Sequence, residues 1–251
     1  MRRRARRTLT LEDIVMTLFR LDASINPATS ASRAIADIVE SEWLAENPAG
    51  VVVRKNLGTD PIAADAWTGA LRANWTPEAA RTQEQTAAIA LAAGLAEEVR
   101  SADAVLLAVP LYNFGVPQHV KAWIDVVVAG SKSADEKLLA GKPAVLVVVR
   151  GGAYGAGTPR EGWDHSSGYL RRIVADVWGA DLTIVEREFT LVGVNPALDD
   201  FKELADQFKD AAHAAAAEAG KALGARATVA AYRRLAPPTG AKRRLPAPAA
   251  A

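Results

Sequence analysis

ADAVLLAVPLYNFGVPQHVKAWIDVVV, residues Ala102–Val128, holds the transition that decides the fold. From Ala104 to Val109 the run is apolar without alternation, the pattern of a strand covered on both faces of a parallel sheet. Pro110 interrupts it, and Leu111, Tyr112, Asn113 and Phe114 form a short polar-aromatic turn. Pro117 then sets the first turn of a helix expected to reach Ala129. Ligands in open α/β sheets lie beyond the carboxyl ends of the strands, which is where this turn falls.

Apolar, β-branched runs recur on either side, at Met16–Leu21, Val51–Val53, Ala144–Val149 and Leu182–Val185. Segments of helical composition separate them: Ser30–Ala45, Pro77–Arg100, Ser167–Trp178 and roughly Asp199–Leu223, with Thr76 and Pro77 as an expected helix start. Strands alternating with helices predict a parallel sheet, and right-handed crossovers make the doubly wound order 2-1-3-4-5 the economical one. That order places a site where the first and third strands diverge. Asn56–Trp75 and Arg150–Ser166 are longer than bare crossovers need and read as functional loops.

Composition narrows the chemistry. Cysteine is absent, so thiolate catalysis, thiolate metal sites and disulfides are excluded. His119, His165 and His213 show no ligand spacing, so no metal site is expected. Residues 1–15 carry five arginines against two acids and residues 226–251 six basic residues and no acid, leaving 16–225 with 19 basic and 27 acidic residues, a net −8. No apolar core follows MRRRARR, as a secretory signal requires, and no run is long enough to span a membrane. The expectation is a cytoplasmic domain over 16–224. A disordered basic extension over 1–15 and a basic low-complexity tail over 225–251 flank it.

Between the first strand and its helix lies a hydroxyl-rich loop containing Ser24, Ser30, Ala31 and Ser32. Serine hydroxyls and the open N–H groups of a helix N-terminus together suit one phosphate, while plain N-capping is the ordinary alternative. No Gly-x-Gly-x-x-Gly and no Gly-Lys-Ser/Thr occurs there, so the loop is neither a dinucleotide turn nor a triphosphate cradle. After the fourth strand come Val149, Arg150, Gly151 and Gly152, whose glycines allow close approach of backbone to a flat ligand.

Three segments in this order and spacing carry a resemblance: LDASINPATSASRAIAD, ADAVLLAVPLYNFGVPQHVKAWID and VVVRGGAYGAGTPREGWDHSSGYLRRI. The chain from Met16 to about Leu223 resembles the FMN-dependent NADH azoreductases and NAD(P)H:quinone oxidoreductases. The resemblance implies an α/β flavodoxin-like doubly wound five-stranded parallel sheet with helices on both faces. It places the FMN phosphate at Ser24, Ser30, Ala31 and Ser32, where Ala31 offers only its backbone. The isoalloxazine ring falls at Leu111, Tyr112, Asn113 and Phe114 and at Val149, Arg150, Gly151 and Gly152. Val149 stands where some relatives have serine, and Ser131, Lys132 and Ser133 where many have an aromatic residue.

The implied activity is two-electron ping-pong hydride transfer from NADH or NADPH through FMN N5 to a quinone, azo compound or other flat acceptor, with no catalytic side chain required. Tyr154 and His165 are candidate lid or proton-donor residues beside Trp163. Lys121 and Asp125, four apart on a helix, are expected to pair on its surface. Trp123, Trp67 and Trp75 suggest an interface, and the resemblance implies a homodimer in which the partner completes the pocket; no nucleic-acid or membrane partner is expected. The alternatives are a flavodoxin-type electron carrier and a reductase supplying reduced FMN to a monooxygenase.

Overall fold

The computed structural model describes residues 15–235, with side chains through 230. The five strands, β1 (Thr17–Asp22), β2 (Val51–Asn56), β3 (Ala104–Pro110), β4 (Pro143–Val149) and β5 (Asp181–Arg187), form one parallel sheet in the order 2-1-3-4-5. Every residue of β3 and β4 is buried, while none of β2 at the edge is, as continuous and broken apolar runs require. Asp22 lies opposite Ala108 and Pro110 opposite Val149, so the loops after β1, β3 and β4 leave the same rim.

Helices α1 (Ala31–Glu46), α2 (Ala66–Asn74), α3 (Gln83–Ser101), α4 (Gln118–Ala129), α5 (Ser167–Arg171) and α6 (Lys202–Leu235) cover both faces. Ile35, Ala36, Val39 and Trp43 of α1 pack with Ala212, Ala216 and Leu223 of α6 on one side. Residues of α3, α4 and α5 close the other.

Four expectations need correction. The segment Asn56–Trp75 is not only loop, because α2 lies within it. Thr76 closes α2 rather than starting the next helix, and α3 begins instead at a capping box in which Thr82 and Gln85 satisfy each other's backbone N–H. Trp123 is not an interface residue: it is buried, 6.0 Å from Phe19 in a stacked pair and 5.6 Å from Trp178 edge-on. Helix α6 runs past Ala225 to Leu235, with Ala227 buried and the Thr228 hydroxyl bonded to Asn47, so regular structure outlasts the expected boundary. Residues 1–14 and 236–251 of the two expected extensions lie outside the described residues.

The expected helix over Ser167–Trp178 is present, but its second half widens into a π-turn over Arg172–Val177. Lys121 and Asp125 pair at 2.7 Å. Among the described residues no helix is long and apolar enough to cross a membrane, and no His, Asp and Glu cluster has the make-up of a metal site.

Candidate functional site

The rim loops bring together most of the residues expected from sequence. Beyond β1 the chain stays in register for one more residue, with the Ala23 N–H donating to the Ala108 carbonyl at 3.0 Å. The buried Ser24 hydroxyl lies 3.3 Å from both the N–H and the carbonyl of Asn26. Ser30 is the N-cap of α1, accepting the Arg33 N–H at 3.1 Å, and its hydroxyl is 3.1 Å from that of Ser32.

The Ala31 and Ser32 N–H groups belong to the first turn, where helix geometry supplies no acceptor. No acidic residue occupies that turn, although the helix dipole favours one there. The Ser30 and Ser32 hydroxyls and the open N–H groups therefore gather at the positive end of a helix, and Ser24 sits in the loop that leads into it.

The β3 turn is strained. Asn113 and Phe114 adopt φ of 47° and 68°, the left-handed region that non-glycine residues avoid, inside a hairpin closed by Tyr112 and Gly115. Three bonds hold it in place. The Tyr112 hydroxyl accepts the Ile25 N–H at 3.2 Å, the His165 N–H donates to the Phe114 carbonyl at 2.9 Å, and the Leu111 N–H donates to the Val149 carbonyl at 2.8 Å. The first of these latches the serine loop to the turn across a cavity of about 370 Å³ lined by Ile25, Tyr112, Asn113, Pro117 and His119. Tyr154 and Trp163 stand beside Phe114, with ring centroids at 6.4 and 5.4 Å, making an aromatic wall in which Trp163 is half exposed.

Several of the expected residues also make structural contacts. Leu111 and Val149 are buried and bonded to each other, so their side chains serve the core. The Arg150 side chain turns inward, to Asp164 at 2.7 Å, Glu186 at 2.6 Å and Ser167 at 3.0 Å. A Cβ on Gly151 would stand 2.6 Å from Leu191, which would have to shift, whereas one on Gly152 would meet only the mobile end of the Arg160 side chain, at 2.9 Å. The carbonyls of Arg150, Gly151 and Gly152 accept N–H groups from Thr190, Leu191 and Phe189. The Arg150 N–H is bonded to the Arg187 carbonyl at 2.8 Å, so what this turn can offer a ligand is the Gly151 and Gly152 N–H groups. His165 is exposed and acts through its backbone.

Sequence reading missed two residues. The His119 Nε2 donates to the Ala23 carbonyl at 2.7 Å, fixing the start of the serine loop from α4. Asp164 accepts the N–H groups of Ser166 and Ser167 and the Ser167 hydroxyl, closing the start of α5 while it holds Arg150. Neither has a local signal, because each partner is remote in sequence or lies in an irregular loop.

Burial pushes the Asp164 carboxyl up, but the Ser167 hydroxyl, the Ser166 and Ser167 N–H groups and Arg150 pull it below the ordinary aspartate range overall. Its contribution to stability is therefore complete above the unfolded value, near pH 4, and is lost as pH falls through the lower folded value. Asp164→Asn is expected to cost about 2 kcal/mol at neutral pH, typical of bonds to a charged group, and to make the acid limb shallower. Urea melts from pH 7 to 3 check this; parallel wild-type and variant curves would contradict it.

Comparison with known proteins adds the family. Residues 16–215 match the family model for the flavodoxin-like fold. A Frankia casuarinae protein named FMN-dependent NADH:quinone oxidoreductase is 37% identical over 203 residues, covering 79% of this chain and 96% of that protein. A Streptomyces avermitilis protein of the same name is 37% identical over 213 residues, covering 82% and 96%. Among solved structures, azoreductase from Bacillus anthracis str. Sterne aligns with TM-score 0.67 at 19% identity, covering 83% of this chain and all of that one. An FMN-dependent NADH-azoreductase from Bacillus anthracis str. Ames Ancestor, solved with FMN, aligns at 0.65 and 17% identity, covering 84% of this chain and 100% of the other; these two likenesses concern the fold. Matched over most of its length by a family model and by relatives more than a third identical, the chain belongs to the flavodoxin-like family that contains the proteins named FMN-dependent NADH:quinone oxidoreductase.

Proposed function

We propose that this chain is an FMN-dependent NAD(P)H oxidoreductase that reduces quinones or azo compounds. One observation carries the reading: the Tyr112 hydroxyl latches the strained aromatic turn after β3 to Ile25, in the serine loop that leads to the N-terminus of α1, across a cavity lined from both segments. The donor set fits FMN: hydroxyls and helix N–H groups at a helix start without an acidic residue suit a monophosphate, and an aromatic wall suits a ring. When bound, FMN supplies the redox chemistry, taking a hydride from the nicotinamide and passing two electrons to the acceptor.

The chain's own residues bind and orient. Ser24, Ser30 and Ser32 would take the phosphate with the Ala31 N–H, and the turn from Tyr112 to Phe114 would meet the ring edge. The N–H groups of Gly151 and Gly152 would favour negative charge on the ring's far edge. Phe114, Tyr154 and Trp163 would shield the acceptor position from water. We further infer a cytoplasmic homodimer; the exposed Trp67 and Trp75 on and beside α2 favour a partner on that face.

The purified protein is expected to be yellow, or to turn yellow with added FMN, and to bleach anaerobically with reduced nicotinamide until a quinone restores the colour. Ser24→Ala and Ser32→Ala should each weaken FMN retention roughly tenfold, the cost of one bond to a charged group. A protein that stays colourless with added FMN would overturn the reading.

A further inference from the structure

On the β5 side of the glycine loop, opposite the serine cradle, lie two cavities that share Phe189. One, of about 540 Å³, is bounded by the Gly152–Arg160 loop and walled by Phe189, Leu198, Phe201, Leu204 and Phe208. Phe189 lies 5.3 Å from Phe201 and 5.9 Å from Phe208, centroid to centroid. The polar groups at this opening are Arg160, whose guanidinium sits over the Tyr154 ring, Thr158, and Glu188, which accepts the Tyr154 N–H.

The other cavity, of about 460 Å³, is charged. Arg187, Lys202 and Lys209 line it against Asp199 and Asp206. Asp199 accepts the Gly193 N–H at 3.3 Å. The Arg187 Nε is buried and finds no hydrogen-bond partner among the described residues. Burial depresses the Arg187 pKa against the pull of Asp206, so its charge lacks compensation that an anion would supply.

An aromatic chamber adjoining one lined by three cationic and two anionic groups has the chemistry of a nucleotide site. Bases stack on aromatic rings, guanidinium and ammonium groups take phosphate, and 300–1,000 Å³ is the usual size of small-molecule pockets. Phe189, which joins the chambers, is held at φ 55°, a strained conformation of the kind that collects at ligand sites. Gly152 belongs both to the expected ring turn and to the apolar wall, so the chamber opens beside the place where a nicotinamide would lie.

We propose that the two cavities form a subsite for the adenosine half of the electron donor, with the adenine against Phe201 and Phe208 and a ribose 2′-phosphate at Arg187, Lys202 and Lys209. The chain is then an NADPH-preferring member of its family. This rests on the oxidoreductase reading, which supplies the dinucleotide.

The test is calorimetric titration of FMN-saturated protein with 2′,5′-ADP and with 5′-AMP, which lacks the 2′-phosphate. The 2′,5′-ADP is expected to bind at least tenfold more tightly. Lys202→Ala/Lys209→Ala should erase that difference, and Phe201→Ala should weaken both ligands, with circular dichroism melts confirming the fold. Equal binding of the two nucleotides, a lysine double variant that still discriminates, or displacement of either nucleotide by excess FMN would each overturn the proposal. The two readings fail separately. A protein that holds FMN and oxidises reduced nicotinamide but shows any of those results loses only the subsite, whereas one that never takes up flavin loses the oxidoreductase reading.

Discussion

Gly58→Ala is expected to release FMN and to destabilise the fold, although Gly58 lies on no element that touches the proposed ligand. A Cβ built on Gly58 would stand 1.9 Å from the Ser24 carbonyl oxygen and 2.5 Å from its carbon, far inside van der Waals contact. The obstacle is backbone, which has no rotamer to change. Nor can Gly58 retreat freely, because the neighbouring Leu57 N–H is bonded to the Asp22 carbonyl at 2.9 Å and Leu57 is buried. The Ser24 peptide must move, and its hydroxyl moves with it.

Overpacking of this kind costs about 1–3 kcal/mol in stability. Losing the Ser24 contact to a charged phosphate adds roughly ten- to a hundredfold in the FMN Kd. Thermal melts and quenching of FMN fluorescence measure the two effects on one sample. Gly94 on α3 is the control: an added Cβ there meets nothing within 4 Å, so Gly94→Ala should leave FMN affinity unchanged and stabilise the helix by about 0.5–1 kcal/mol. If Gly58→Ala bound FMN as wild type does, the close approach of β2's loop to Ser24 would not be setting the cradle.

Gly58 also marks where sequence reading stops. The buried strands, their order and the turns that follow them are legible because each is written in a local pattern: an unbroken apolar run, a proline, a hydroxyl loop before a helix. The contact between Gly58 and Ser24 joins loops from adjacent strands, and nothing in LGTD announces which backbone it will meet. Helix α2 was hidden in a segment punctuated by Gly58, Asp60, Pro61, Asp65 and Gly69, with tertiary packing of Ala70 and Ala73 outweighing those breaks. Trp123, by contrast, could have been read correctly. Val120, Trp123, Ile124 and Val127 share one helical face at spacings of three and four, and all are buried. The phenylalanine chamber was not legible because Phe189, Phe201 and Phe208 come from a strand exit, a short 3-10 turn and the second turn of α6, which only the fold brings together.

Arg20 was equally hidden, inside a run read only as a strand, and its replacement should have the largest effect on stability. It is 2% exposed, yet Nε and Nη2 donate to Asp22 at 3.1 Å and Nη1 to Glu40 at 2.9 Å, with Asp37 at 2.7 Å. Burial disfavours its charge, but the bonds and field of Asp22, Asp37 and Glu40 win and hold the guanidinium above its ordinary pKa. Arg33, 3.8 Å from Asp22, and Arg54, bonded to Glu40, complete the network. Arg20→Met leaves Asp22 and Glu40 buried with too little positive charge, a loss of roughly 3–5 kcal/mol.

That loss comes from charge rather than from volume, because Arg20 is the buried cation between Asp22 and Glu40. Arg20→Met/Asp22→Asn/Glu40→Gln, which removes the carboxylates along with the guanidinium, should therefore recover most of the deficit. The same charge matters for function, since Asp22 stands two residues before Ser24 and, once unpaired, would repel a phosphate held there. FMN affinity of Arg20→Met should therefore fall and recover with added salt, which screens that repulsion. A triple variant no more stable than Arg20→Met, with FMN binding indifferent to salt, would mean that Arg20 fills space between β1 and α1 and does not neutralise the mouth of the cradle.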